Sequence, residues 1–389
     1  MQPSIKIILS AVLILGALSF AAFYYFAIAP LSQPSDEGRP RAESLTEAMQ
    51  KQLAGDRTGA YQSAQRQIAE GGTEEDTVLA KITAANSLFQ IATTTEGRIA
   101  AMRILANAYS EGQSPQSKAL VLNALVWTLI FNANTEPVTL AAFGFNEFQP
   151  FAVEGANGKS FQNLLKQSIS LAPTRRAYYM RAVVASRELE RNFAPDSAKL
   201  LSAASSDSVR EIAQNILKFI EQGDALARAA PLDSGIEELD DITEAQNQIY
   251  RGLALSAVAL VDSSQLSSAL GAFQAVLDTA RSGEPTVAVN VMAAYAHLYA
   301  GRIAAAVGGS ANTAVARSHL ADFAASAEAS PKDYVKIYEM FQWLRGGASI
   351  PASEQAESRQ YRLYQTYSSL AALSPDFKNF LASVGWQFE

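Results

Sequence analysis

The chain has 389 residues, 49% of them hydrophobic and 18% charged, with a net charge of −7 and no cysteine. That length allows one large domain or two ordinary ones. The missing cysteine excludes disulfides, thiolate metal sites, cysteine nucleophiles and an acylated cysteine, and the acidic balance opposes generic nucleic-acid binding. Alanine is abundant, and alternating β-branched runs are nearly absent. Alanine loses no side-chain entropy in a helix and lets backbones approach, so the expected fold class is all-α.

From Ile7 to Ala29 no residue is charged, and Ser10 and Ser19 with Gly16 are the only interruptions of note. At about 1.5 Å per residue this run crosses a hydrocarbon core of about 30 Å. Phe20, Phe23, Tyr24, Tyr25 and Phe26 cluster at its C-terminal end, where rings favour the interface, and Pro30 ends it. Ala27-Ile28-Ala29 resembles a signal-peptidase box, but the apolar run exceeds signal-peptide length and Pro30 would follow the cut. The expectation is a retained transmembrane anchor over 1–29. Arg39 and Arg41 stand among Asp36, Glu37 and Glu43, so Lys and Arg counts alone leave the orientation open. The reading favoured is a bacterial inner-membrane protein with its body outside the cytoplasm, the alternative being a cytoplasmic body.

Residues 30–42, with Pro30, Pro34 and Pro40, read as a flexible tether. A first helix is expected from a Ser44–Glu47 capping box to Gly55, and a second from Thr58 to Gly71-Gly72. Thr73 opens a third, with Glu74, Glu75 and Asp76 at its positive end. Others are expected over 96–111 and 115–132, the latter with Ser114 as cap and Pro115 at the first helical position. Residues 133–158 break the rhythm. Helices resume over 159–171, 174–191, 195–205 and 208–229, which closes a first helical domain or half-solenoid (43–229). An acidic linker, 230–242, precedes a second (243–389), with helices at 243–261, 264–282, 285–307, 312–328, 332–345, 352–372 and 376–384.

Connections of two to six residues suit antiparallel helical neighbours. Residues 164–173 (LLKQSISLAP) place Leu165 eight before Pro173, and the same spacing links Phe323 to Pro331 and Tyr367 to Pro375. Ala269, Phe273 and Leu277 add a small–aromatic–aliphatic row. Together these resemble the second helix of tetratricopeptide repeats. The period of about 34 residues and the Trp-Leu-Gly pattern of that family's first helix are missing. The expected architecture is thus a degenerate tetratricopeptide-like solenoid or an irregular bundle. The resemblance implies protein or peptide binding in a concave groove.

No pattern for catalysis or for a cofactor emerges, and none of the residues is assigned to a metal. His297 and His319 fall on separate helices and are read as lacking a carboxylate at helical spacing, hence as packing or surface residues. Gly155 to Ser160 superficially matches a phosphate loop, but Val153 stands where its first glycine belongs, so a helix stop and restart is the reading. Asp233, Glu237, Glu238, Asp240, Asp241 and Glu244 lack the alternation of a calcium loop and are read as solvated and as favouring the N-terminus of the helix from Thr243. Arg175, Arg176, Arg181, Arg187 and Arg191 are read as a solvated face, with Tyr178, Tyr179 and Met180 inward. Tyr361, Tyr364 and Tyr367 are read as filling an inter-helix groove. In the long break, Phe143, Phe145, Phe148 and Phe151 are folded onto the body, offered to a partner or buried in the bilayer. The functional expectation is a membrane-anchored helical scaffold or adaptor, not an enzyme. Its alternatives are a ligand-binding or enzymatic helical domain without a motif, or a structural subunit of a larger membrane complex.

Overall fold

A computed structural model describes residues 43–53, 55–131, 158–192, 207–229, 237–282, 287–329, 359–383 and 386. Among them the regular structure is entirely helical. The helices are α1 (Glu43–Leu53), α2 (Arg57–Glu70), α3 (Glu74–Ile91), α4 (Thr95–Glu111), α5 (Pro115–Phe131), α6 (Gly158–Leu171), α7 (Arg175–Asn192) and α8 (Asp207–Ala229). They continue with α9 (Glu237–Ala259), a 3₁₀ turn (Ser263–Gln265), α10 (Leu266–Arg281), α11 (Val287–Val307), α12 (Ser310–Ala329), α13 (Arg359–Leu373) and α14 (Pro375–Ser383). The expected all-α class holds. The proposed anchor, the tether, the phenylalanine-rich segment and the helices expected at 195–205 and 332–345 lie outside the described residues. Among the described residues no helix is long and apolar enough to cross a membrane.

The described residues fall into two compact units, one of 43–184 and 218–243, the other of 185–217 and 244–389. In the first unit each described turn ends in a residue that caps the next helix. Asp56 accepts from Gly59 N–H, Thr73 from Asp76, Thr94 from Gly97, Ser114 from Ser117 and Thr174 from Ala177. Each satisfies an amide that the helix start would otherwise leave unpaired. Gly55 and Gly71, at φ +80° and +75°, close α1 and α2 in the left-handed region that only glycine adopts freely. The Ser44 capping box does not form, because Ser44 lies inside α1, where its hydroxyl meets Gln67 Oε1 (2.5 Å) and Glu70 Oε2 (2.7 Å). The second helix starts at Arg57, capped by Asp56, rather than at Thr58.

These short turns make successive helices antiparallel neighbours. Helix α1 packs on α2 and α3, α3 on α4 and α5, and α5 on α6. The start of α3 also holds the turn ahead of α5, since Glu74 Oε1 accepts from the backbone N–H groups of Gln113 (2.7 Å) and Ser114 (2.9 Å). The Ser114 amide foremost lowers the Glu74 pKa. Alternate helices thus stack side by side, as in a hairpin array. Enclosed by its neighbours, α3 is buried nearly all round, through Val78, Leu79, Ile82, Ala84, Ala85 and Phe89.

In the second unit Ala245, Ile249 and Leu253 of α9, Phe273, Val276 and Leu277 of α10, and Ala296, Ala300 and Ile303 of α11 form one core. Helix α9 begins at Glu237, within the span expected as an acidic linker. Carboxylates favour a helix N-terminus, so an acidic run starts a helix as readily as it separates two. Helix α12 packs on α11 and on α14, whose Phe377 and Phe380 meet the Phe323 ring at 5.8 and 5.5 Å. Tyr367 of α13 fills the groove expected of it, 6.2 Å from Phe377 and 6.1 Å from Trp386. The Tyr361 and Tyr364 side chains lie outside the described residues.

Candidate functional site

Two clusters bring polar side chains together inside the helical packing. The first is built on α7. Tyr179 is wholly buried there, and its ring lies against Gly223 of α8, where an added Cβ would stand 2.4 Å from Tyr179 Cε1. The missing side chain is what lets the ring in. The Tyr179 hydroxyl donates to Asp224 Oδ1 and accepts from Arg175 Nε at 3.0 Å. Burial, joined by the Asp224 carboxylate, pushes the phenol well above its usual range. It therefore stays protonated and acts as a fixed donor, not as a base or nucleophile.

Two residues along α7, Arg181 Nε donates to Gln162 Oε1 (2.9 Å), and Gln162 Nε2 donates back to the Arg181 carbonyl (3.0 Å). The guanidinium lies 3.9 Å from the Phe219 ring centroid, and burial lowers its pKa. Arg176 is buried, at 3% exposure. The expected solvated arginine face is therefore wrong for Arg175, Arg176 and Arg181. Long arginine stems and flat guanidinium groups pack against rings, which composition alone does not reveal. Tyr179 and Met180 are buried as expected, while Tyr178, expected inward with them, is only half-buried.

The second cluster joins α11 to α12. His297 and His319 stand with their Nδ1 atoms 2.9 Å apart and their rings tilted by 50°. The Asp322 Oδ2 atom is 3.7 Å from His297 Nδ1. The His297 side chain is 12% exposed and that of Asp322 56%, so the cluster opens to solvent on the aspartate side. Burial depresses the His297 pKa to about 4, reinforced by His319 and, more weakly, by Arg281, against the opposing pull of Asp322. Burial likewise lowers His319, again opposed by Asp322. Both rings are neutral near pH 7, so each keeps one unprotonated ring nitrogen.

The reading that neither histidine has a carboxylate at helical spacing overlooks Asp322, three residues after His319 and on the same helix face. A second signal was also present. Helices α11 and α12 are joined by Gly308 and Gly309, both at positive φ, and the histidines are equidistant from Gly308 in sequence. In an antiparallel hairpin, equidistant residues come together. Among the described residues this trio is the group whose ligand atoms all lie within metal-binding reach of one another.

The other sequence candidates stay apart from both clusters. Phe143, Phe145, Phe148 and Phe151 lie outside the described residues, as do Gly155 and Asp233. Helix α6 does start at Gly158, in keeping with a stop and restart. Neither a protein-family model nor a curated protein sequence matches this chain.

Proposed function

We propose that this chain is a membrane-anchored helical scaffold, which binds a protein or peptide partner at the membrane surface and is held there by residues 7–29. The observation that supports it best is the packing order of the first unit. Helix α3 lies against both α1 and α5 while α2 and α4 cover its other sides. Arrays of this kind present a broad, extended surface instead of an enclosed pocket, and that surface suits a polypeptide ligand. The spacing resemblance to tetratricopeptide repeats points the same way, and its buried row Ala269, Phe273 and Leu277 is a true core row of α10. Fold-level likeness carries function only by analogy, so the partner contact is assigned to particular residues. These are Phe143, Phe145, Phe148 and Phe151, which concentrate apolar rings in a segment of sequence without helical periodicity. The body stands outside the cytoplasm in this reading, behind a short cytoplasmic N-terminus.

The test is in-cell cross-linking followed by purification of the full-length protein, beside a variant carrying Phe145→Ser and Phe148→Ser. A discrete partner lost only in the variant is the expected result. An identical set of cross-links in both forms removes the contact from this segment, and a folded protein with no cross-link at all removes the scaffold.

A further inference from the structure

We propose that His297, His319 and Asp322 bind one divalent transition-metal ion of the zinc class, which clips helix α11 to helix α12. This goes beyond the scaffold reading and does not depend on it. Three observations support the site: its spacing, its donor set and the way the two helices are held.

The ligand atoms all lie within 4.8 Å of one another. Two imidazole nitrogens bound at about 2.05 Å stand about 2.9 Å apart when they subtend a right angle at the metal, and about 3.3 Å in a tetrahedral site. The Nδ1 separation of 2.9 Å thus already matches two adjacent positions around one ion. The Asp322 Oδ2 atom, 3.7 Å from His297 Nδ1, reaches a third position by a small rotation of an exposed side chain. Solvent supplies whatever positions remain.

Two imidazoles and one carboxylate, without sulfur, select zinc, cobalt or nickel over calcium or magnesium, which demand oxygen. Without an ion, two neutral rings this close need one Nδ1–H donating to the other Nδ1. With an ion, both rings take the Nε2–H tautomer and both Nδ1 lone pairs face the metal. The exchange moves a proton within a ring and releases none from the pair.

The rings are brought to this distance by a close helix approach next to them. Gly301, one turn beyond His297 on α11, faces Leu320, the neighbour of His319, and an added Cβ there would lie 3.0 Å from Leu320 Cγ. His319 and Asp322 share one face of α12, so two of the three ligands are fixed relative to each other by one helix turn. Arg281 of α10 places a positive charge where His297 feels it, and it opposes a cation. It lies 3.7 Å from Asp278, which offsets part of that charge, and the Asp322 carboxylate provides the local anion.

The test uses the full-length protein stripped with a chelator and dialysed. Zinc chloride is titrated by calorimetry, and cobalt chloride is titrated while visible ligand-field absorption is recorded. The expected result is saturable uptake of one equivalent with Kd near or below about 1 µM. His319→Gln should weaken it at least about 100-fold and Asp322→Asn about 10-fold. Because His297 is largely enclosed, His297→Gln is compared only where its thermal unfolding matches the stripped wild type. Asp322, mostly exposed, keeps the test decisive whatever that variant does. Absence of saturable uptake by the wild type overturns the proposal. So does uptake unchanged in both His319→Gln and Asp322→Asn, because the bound ion is then held elsewhere.

Discussion

Both units use a glycine as a socket for an aromatic ring, and they finish the contact differently. In the first, Gly223 admits Tyr179, whose hydroxyl is then held by Asp224 and Arg175. In the second, Gly252 admits Phe273, where an added Cβ would stand 2.4 Å from Phe273 Cε1, and the ring sits in an apolar core with Tyr299 6.0 Å away. The shared part sets how near two helices come. By ordinary magnitudes ring burial supplies the bulk of such a joint, while the hydroxyl network fixes orientation and must be satisfied because it is buried.

The largest expected effect comes from emptying the apolar socket. Phe273→Ala should cost about 4 kcal/mol in urea unfolding, through lost burial and the cavity left behind. Filling the socket from the other side comes next. Gly252→Val and Gly223→Val should each cost about 3 kcal/mol, because a rigid ring blocks the new side chain. Similar losses at both sites would show that the device is shared, whereas tolerance at either would break the comparison.

A third prediction concerns the histidine pair in metal-free protein. The folded His297 pKa of about 4 lies below the unfolded value near 6.5, so the unfolded chain takes up a proton first as pH falls. The stability of the neutral pair is therefore full above pH 6.5 and is lost as pH falls toward 4. His319, Asp322 and Arg281 are the groups whose charge His297 feels. Discounted for the pair's remaining contact with solvent, the loss should be about 2 kcal/mol. Urea midpoints between pH 7 and 4 should fall in wild type and fall less in His297→Gln.

Tyr179→Phe sharpens the comparison at smaller scale. Keeping the ring while deleting the hydroxyl should cost about 1.5 kcal/mol, well below the ring loss at Phe273. An equal or larger cost would mean that the polar network, not the ring, carries the joint. Thr73→Ala, which removes one cap, should cost about 1 kcal/mol and marks the lower end of the series.

What could be read in sequence follows from how local each interaction is. Thr73 with its acidic first turn, Ser114 before Pro115, and the glycines at 55, 71 and 72 act within a few residues, and they placed helix ends well. The acidic run before Thr243 was ambiguous for a physical reason, since the same charges suit a solvated linker and a helix N-terminus, and helix won from Glu237. Arg181 was misjudged because arginine exposure depends on whether a ring waits in the fold, and Phe219 is distant in sequence; Arg176 is buried as well. The histidine pair depends on one hairpin closing at Gly308-Gly309. Its symmetry about Gly308 was visible in the sequence, but the close helix approach at Gly301 was not.

In the proposed scaffold one part of the chain holds the protein to a membrane and another part binds the partner. Its most direct test separates them, by comparing full-length protein with a chain lacking residues 1–29 in alkaline membrane extraction and in cross-linking. The account predicts that the shortened chain leaves the membrane fraction yet keeps the same cross-linked partner. A shortened chain that stays with the membrane, or that folds and loses its partner, would contradict it.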